Sequence, residues 1–379
     1  MQTGTGPAAL RGDVDFDLHG FVRIRVLDGQ DRDVETLVRQ IGPLIAPLTG
    51  DPDITVRFVD ELPEPRRMVH AGPDCAAAGD DLYLLRGRDG IRARTLLPVE
   101  TVGQRCDIVC ERRTGHVPHL LAIINLTALS KGVLPLHASA FTYRGVGVLA
   151  TGWAKGGKTE TLLAFAARGA RYVGDEWVYL TADGRMHGIP EPIRVWQWQL
   201  EQLPALRAGL PRGTRARLRA LPAVASSATH LAGLLHGLPA SVLRRAAPVL
   251  ARQANVRIPP AQVFGDLAVA LHGRLDHVVL VESHDREEVS VEPVPGAWVA
   301  ARMRASLEDE RALFLTLYRQ FRFLFPERRA PGVEDAPALE CRLLEQILAG
   351  REAHALRHPH PLRLESLVAP VESVLERMS

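Results

Sequence analysis

Residues 145–180, GVGVLATGWAKGGKTETLLAFAARGARYVGDEWVYL, restrict the possible folds of this chain more than any other stretch. Within them, Gly152-Trp153-Ala154-Lys155-Gly156-Gly157-Lys158-Thr159 fills the pattern G-x-x-x-x-G-K-[ST] completely. The context fits as well. Residues 147–151 predict a short buried strand, and 158–168 predict a helix with Leu162, Leu163, Phe165 and Ala166 along one side. A glycine-rich bend at a helix N-terminus turns its backbone N–H groups into a concave donor site for a polyphosphate. Lys158 is then expected at the β- and γ-phosphates, and the Thr159 hydroxyl on Mg²⁺.

Composition argues against coincidence. Lys and Arg total 46, yet only Lys131, Lys155 and Lys158 are lysine. Random order would produce the motif on the order of 10⁻³ times per chain. A chain this rich in arginine still places a compact ammonium where a planar guanidinium would fit a phosphate cradle badly.

The residues after the loop sharpen the expectation. Gly169 is a candidate helix stop, and residues 170–173 predict a strand ending at Gly174-Asp175-Glu176. A right-handed β-α-β crossover would run that strand parallel to the loop strand, delivering Asp175 and Glu176 beside the phosphates and metal. Most P-loop ATPases carry their second acidic motif much further downstream.

His137, Gly145-Val146-Gly147-Val148-Leu149, Gly157-Lys158-Thr159-Glu160, Arg168-Gly169 and Asp175-Glu176 occur in that order. Together they resemble the catalytic core of the HPr serine kinase family, in the phosphoenolpyruvate-carboxykinase-like P-loop group. The resemblance extends weakly through Gly188-Ile189-Pro190-Glu191-Pro192-Ile193-Arg194. It departs at Lys155 for a loop glycine, Ala154 for a loop serine, Thr159 for the metal-binding serine and Glu176 for the second aspartate. It implies an α/β P-loop kinase core that binds ATP and Mg²⁺. Asp175 would orient and deprotonate an acceptor hydroxyl, and His137 would lie near the transferred phosphoryl group. Glu176 and Glu160 would join Thr159 as metal partners, with residues 152–160 cradling the nucleotide. Lys155 is either a second phosphate contact or a solvated side chain, and Arg194 is a weaker substrate-side candidate. The family's later glycine-rich signature and its protein-docking surface are not visible, so the nucleotide chemistry carries over better than the substrate.

The chain has 379 residues, 46% of them hydrophobic and 24% charged, which suits a globular protein of two or three domains. A net charge of +2 argues against a general nucleic-acid binder. The first twenty residues lack a basic stretch followed by an apolar core, and residues 119–129 are too short to span a bilayer, so a cytoplasmic chain without a membrane partner is expected. Cys106 and Cys110, with His116 and His119 beyond, lack the usual zinc-finger spacing and suit a buried strand better.

Three regions are expected. Residues 1–115 predict an α+β module, with a loose tail over 1–15, strands over 20–27 and 54–59, a helix over 34–48 and a hairpin over 81–97. Residues 116–297 predict the P-loop domain. It would hold a helix over 118–131, a His137-bearing strand over 134–141, a hairpin through Asp183-Gly184, a helix over 263–271 and a strand over 277–282 paired with 289–294. An arginine-rich helical insert over 203–260 carries Arg212, Arg215, Arg217, Arg219, Arg244, Arg245, Arg252 and Arg257, either as solvated faces or as a lid. Residues 298–379 predict a helical region whose Phe314, Tyr318, Phe321, Leu324 and Phe325 form a core stripe, with a solvated histidine tail over 354–360.

A GTPase would need an N-K-x-D motif and an ABC-type ATPase an L-S-G-G-Q signature; neither is present. The expectation is an ATP-dependent kinase acting on a hydroxyl of a peptide, a protein or a small biosynthetic metabolite, with a homo-oligomer compatible. The rival is a nucleotide-binding sensor without catalysis.

Overall fold

The computed structural model describes residues 12–234, positions 241, 242, 244, 245 and 248, and residues 253–376. Residues 1–11 of the expected tail and Arg252 lie outside the described residues, and from Gly12 onward the tail is already strand.

Eight strands build the first sheet: β1 Gly12–Leu18, β2 Val22–Gly29, β3 Ile54–Val59, β4 Val69–His70, β5 Cys75–Ala78, β6 Asp81–Arg86, β7 Arg92–Leu96 and β8 Cys106–Glu111. Their spatial order is β1-β2-β3-β8-β7-β6-β5-β4. The expected hairpin forms as β6 and β7. The expected helix over 34–48 is corrected to Asp31–Ile41, because Gly42 at φ 77° and Pro43 stop it. Cys106 and Cys110 are buried in β8, and burial pushes each thiol up to about 12, which keeps them protonated.

The second sheet uses β9 Leu134–Tyr143, β10 Val146–Thr151, β11 Arg171–Gly174, β12 Trp177–Leu180, β13 Arg185–Gly188, β16 His272–Arg274, β17 His277–His284, β18 Ser290–Pro295 and β19 Glu352–Pro359. Two further strands, β14 Ile193–Trp196 and β15 Asn255–Ile258, pair as a separate ribbon. The long strand β9 is central. One edge pairs antiparallel with the whole of β10, from Ala138 to Tyr143. The other edge is shared: its first half pairs with β12 and its second half with β11. So β11 does run in the same direction as β10, as expected, but with β9 between them. The parallel neighbour of β10 is β17.

Alternation distributes the side chains to two faces. In β10, Leu149 joins one core with Val278 and Leu280 of β17, whereas Val148 and Ala150 join the other with Val279 and Val281. The first core is covered by the helices Leu120–Ser130, Gly296–Leu324 and Ala336–Leu348. The second is covered by the loop helix Lys158–Ala166 and the helix Val368–Leu375. There Phe165 stacks on Phe141 at 4.9 Å and meets Tyr143 edge-on at 5.0 Å, the preferred aromatic geometries. Phe314, Tyr318 and Phe321 are buried as the core stripe predicted.

Three further expectations are corrected. The 289–294 segment does not pair with β17, because β19 lies between them, parallel to β17 and antiparallel to β18. Burial explains the order: Ala353, Ala355 and Leu356 suit an interior strand, while β18, none of whose residues is fully buried, suits an edge. The sheet therefore does not end near residue 296, and the region 298–379 is not purely helical. The helix expected over 263–271 is Pro260–Phe264, started by the proline and stopped by Gly265 at φ 85°. Among the described residues no helix is long and apolar enough to cross a membrane.

Leu356→Ala tests the placement of β19. Leu356 is fully buried in the second core, so its truncation should cost about 2–5 kcal/mol in urea unfolding. A loss near zero would mean that the carboxy-terminal strand is not part of this sheet.

Candidate functional site

The site grows from the shared edge of β9. Between β11 and β12 the chain steps out of the sheet at Asp175 and Glu176, with Glu176 in the left-handed region at φ 63°. The Ala138 N–H donates to the Glu176 carbonyl at 3.1 Å, pinning the step against the middle of β9. Gly174 is needed there: a Cβ would lie 2.9 Å from the Gly188 Cα. His137 and Ser139, two apart on β9, face the step. Ser139 Oγ donates to Asp175 Oδ1, and His137 Nε2 lies 3.2 Å from Glu176 Oε2.

The loop arrives from the other edge. β10 ends at Thr151, the chain turns through Gly152 at φ 151° and Lys155 at φ 63°, and Gly157 at φ 108° opens the helix Lys158–Ala166. The bend is tight. A Cβ on Gly152 would fall 2.4 Å from the Val281 carbonyl, and one on Gly157 would fall 2.2 Å from His358 Nε2. Lys158 is only 5% exposed; its Nζ donates to the carbonyls of Gly152 at 3.2 Å and Trp153 at 2.9 Å. An ammonium has three donors, so one remains beyond these two loop contacts.

Thr159 Oγ1 donates to both Asp175 carboxylate oxygens at 3.2 Å, joining the loop helix to the acidic step. His137, Ala154, Lys155, Gly157, Lys158, Thr159, Glu160, Asp175, Glu176 and Arg194 all line one cleft of about 440 Å³. Gly152, Trp153 and Gly156 do not; they border a separate hollow of about 410 Å³ with Arg302 and Ser306. Arg212, Arg215, Arg217 and Arg219 do not line the cleft either.

Of the cleft residues not singled out from sequence for this site, three make polar contacts with its parts. Glu310, on the helix Gly296–Leu324, hydrogen-bonds His137 Nδ1. Gln199 donates to Glu160 Oε1 at 2.8 Å. His358, expected in a solvated tail, is instead 2% exposed in β19, with its Nε2 donating to the Gly156 carbonyl at 2.8 Å. The alternating apolar positions of 352–356 were the signal for that strand.

Electrostatics follow from crowding four carboxylates around one lysine and one histidine. Burial, then the neighbouring Glu176, pushes the Asp175 carboxyl up to about 6. The hydrogen bond to His137 holds Glu176 below its ordinary value. Burial alone would lower His137, but its bonds to Glu176 and Glu310 outweigh that and raise it. Burial lowers Lys158, against the pull of Glu176, Glu310, Asp175 and Glu160. Among the described residues, no three His, Cys, Asp or Glu side chains converge as a ready metal cage. Magnesium does not require one, since it usually takes one or two carboxylates and fills its shell with phosphate and water. The donors fit that pattern: the Thr159 hydroxyl and the carboxylates of Glu160, Asp175 and Glu176 line the same cleft.

No protein-family description matches the chain. No curated protein matches it either. Among solved structures it aligns with the Hpr(Ser) kinase/phosphatase from Coxiella burnetii at 12% identity and a TM-score of 0.24, over 65% of this chain and 99% of that chain. A likeness this distant leaves the functional reading to the residues themselves.

His137 supplies a pH test. Its folded value lies above the ordinary 6.5, so its ion pairs add stability fully present below that pH and lost as pH rises through the folded value. Glu310→Gln should therefore lower the His137 titration midpoint in ring-proton NMR and reduce stability below pH 6.5. An unchanged midpoint would contradict the pairing.

Proposed function

We propose that the chain is an ATP-dependent phosphotransferase that moves the γ-phosphoryl group to a hydroxyl acceptor, a serine or threonine or a small hydroxylated metabolite. One observation carries this reading: Lys158, Thr159 and Asp175, drawn from two different connections, meet in one cleft with the Thr159 hydroxyl on the Asp175 carboxylate. A purely structural glycine turn gives no reason to bury a lysine and an aspartate together.

Each residue has a role in that reaction. The loop amides and Lys158 would hold the β- and γ-phosphates and neutralise their charge. Thr159, Glu160 and Glu176 would hold Mg²⁺, which supplies further neutralisation when bound. Asp175 would take the acceptor proton as the acceptor oxygen bonds to the γ-phosphorus and the bond to the β–γ bridging oxygen breaks, leaving ADP. A carboxyl raised to about 6 is well matched to that task near neutral pH. His137, whose protonated form is favoured by Glu176 and Glu310, would place a positive charge beside the transferred group. Gln199 and Glu310 act as positioning residues for Glu160 and His137.

The rival reading is a nucleotide sensor, and two variants separate it from the enzyme. Lys158→Ala should weaken binding of a fluorescent ATP analogue by at least about tenfold. Asp175→Asn should keep nucleotide affinity while reducing γ-labelled phosphate transfer by about 10²–10⁴-fold. No transfer above background in the wild-type chain, with binding lost in Lys158→Ala, would leave the sensor, whereas unchanged transfer in Asp175→Asn would remove Asp175 from the chemistry. The wild-type rate should also rise as pH rises through about 6, because the base acts only when ionised. A flat profile between pH 5 and 8 would count against Asp175 as the base.

A further inference from the structure

We infer that a second cavity, beside the nucleotide cleft, holds an anionic group of the acceptor between Arg194 and Arg257, so the acceptor is a hydroxyl compound bearing a carboxylate or phosphate. The inference rests on the phosphotransferase reading and adds the substrate's charge.

The two-stranded ribbon β14–β15 sets this arrangement. Ile193 is registered opposite Ile258 with both buried, and the next pair along is Arg194 opposite Arg257 with both exposed. Successive residues alternate faces, so the two guanidinium groups project from the same outer face of the ribbon. Like charges directly opposite each other on paired strands destabilise the pair. Surface arginines in such positions usually find a carboxylate, yet among the described residues neither has one within 4.0 Å.

Both arginines line a cavity of about 780 Å³ that Arg39, Arg88 and His116 also border. Arg39 and Arg88 each have a local acid, at 3.5 Å from Glu35 and 3.7 Å from Asp89. Arg194 and Arg257 are left to a ligand. Among the described residues the one carboxyl of the cavity wall is Glu191, whose buried Oε1 has no hydrogen-bond partner. Burial, then Glu176 and Asp175, pushes its carboxyl well above the ordinary range, against the pull of Arg257 and Arg194. A neutral carboxyl can donate to an anion's oxygen, as an ionised one cannot.

Position connects this cavity to the chemistry. Arg194 borders the nucleotide cleft as well as the second cavity. Its charge also acts on both Glu176 and Glu191. An acceptor whose anionic end lies between Arg194 and Arg257 can present its hydroxyl toward Asp175. Arginine forks suit planar or tetrahedral oxyanions, which gives this end of the site its selectivity.

Citrate is the probe, titrated by calorimetry into the chain saturated with a non-hydrolysable ATP analogue and Mg²⁺. Arg257 does not border the nucleotide cleft, so R257Q separates the two sites. Citrate should bind the wild-type chain, bind R257Q at least about tenfold more weakly and bind R257K in between. Equal citrate affinity in wild type and R257Q, or no binding to wild type, would overturn the inference. If the wild-type chain fails to bind the ATP analogue, the phosphotransferase reading falls, and citrate titrated without nucleotide still decides the arginine site. Acceptor pairs identify the source of the anion: L-serine against L-serinamide, and an aspartate-flanked serine peptide against its asparagine-flanked counterpart. Labelling of the carboxylate-bearing member over its amide counterpart, lost in R257Q, supports the assignment; equal labelling overturns it.

Discussion

The candidate site depends on one strand edge that cannot be paired continuously. β9 is longer than either partner on its second edge, so β12 and β11 divide it and the chain must leave the sheet between them. The gap falls at Asp175 and Glu176. Leaving the sheet frees these two residues from the ladder while the Ala138 amide still anchors the step. A continuous strand would have alternated the two carboxylates to opposite faces. The left-handed turn at Glu176 brings both to the loop side.

From that gap the electrostatics are nearly forced. Two carboxylates beside each other cannot both be easily ionised in a partly dry cleft, so one is raised and the other must be stabilised by a partner. Asp175 is the raised one and Glu176 takes His137. His137 in turn needs a second acid to stay charged against burial, and Glu310 provides it from a helix far along the chain. The same crowding favours any cation that enters, whether magnesium or a displaced ammonium.

Much of this was legible locally. The bend from Gly152 to Thr159, the strand ending before it and the acidic pair after the next strand are short-range patterns, and each lies where its spacing predicted. What was illegible came from distance. Glu310 meets His137 across 173 residues, and His358 meets Gly156 across 202. Nothing in the helix pattern of 296–324 marks Glu310, rather than Glu308 or Asp309, as site-facing. The tail differed: EAHALRH alternates at the strand period, but its three histidines in 354–360 drew attention to solvation instead. The expected pairing of β18 failed for a related reason, since two strands close in sequence are separated by a third that arrives only after three helices.

The central claim is that a nucleotide's terminal phosphates lie between the loop ahead of Lys158 and the carboxylate of Asp175. Competition of ATP, ADP and AMP against a fluorescent ATP analogue tests it most directly, because each removed phosphate removes its own contacts with the loop. The account predicts that affinity falls by at least about a hundredfold from ATP to AMP in the presence of Mg²⁺. Equal affinity for ATP and AMP would mean that the loop does not read the phosphates, and the account would be wrong.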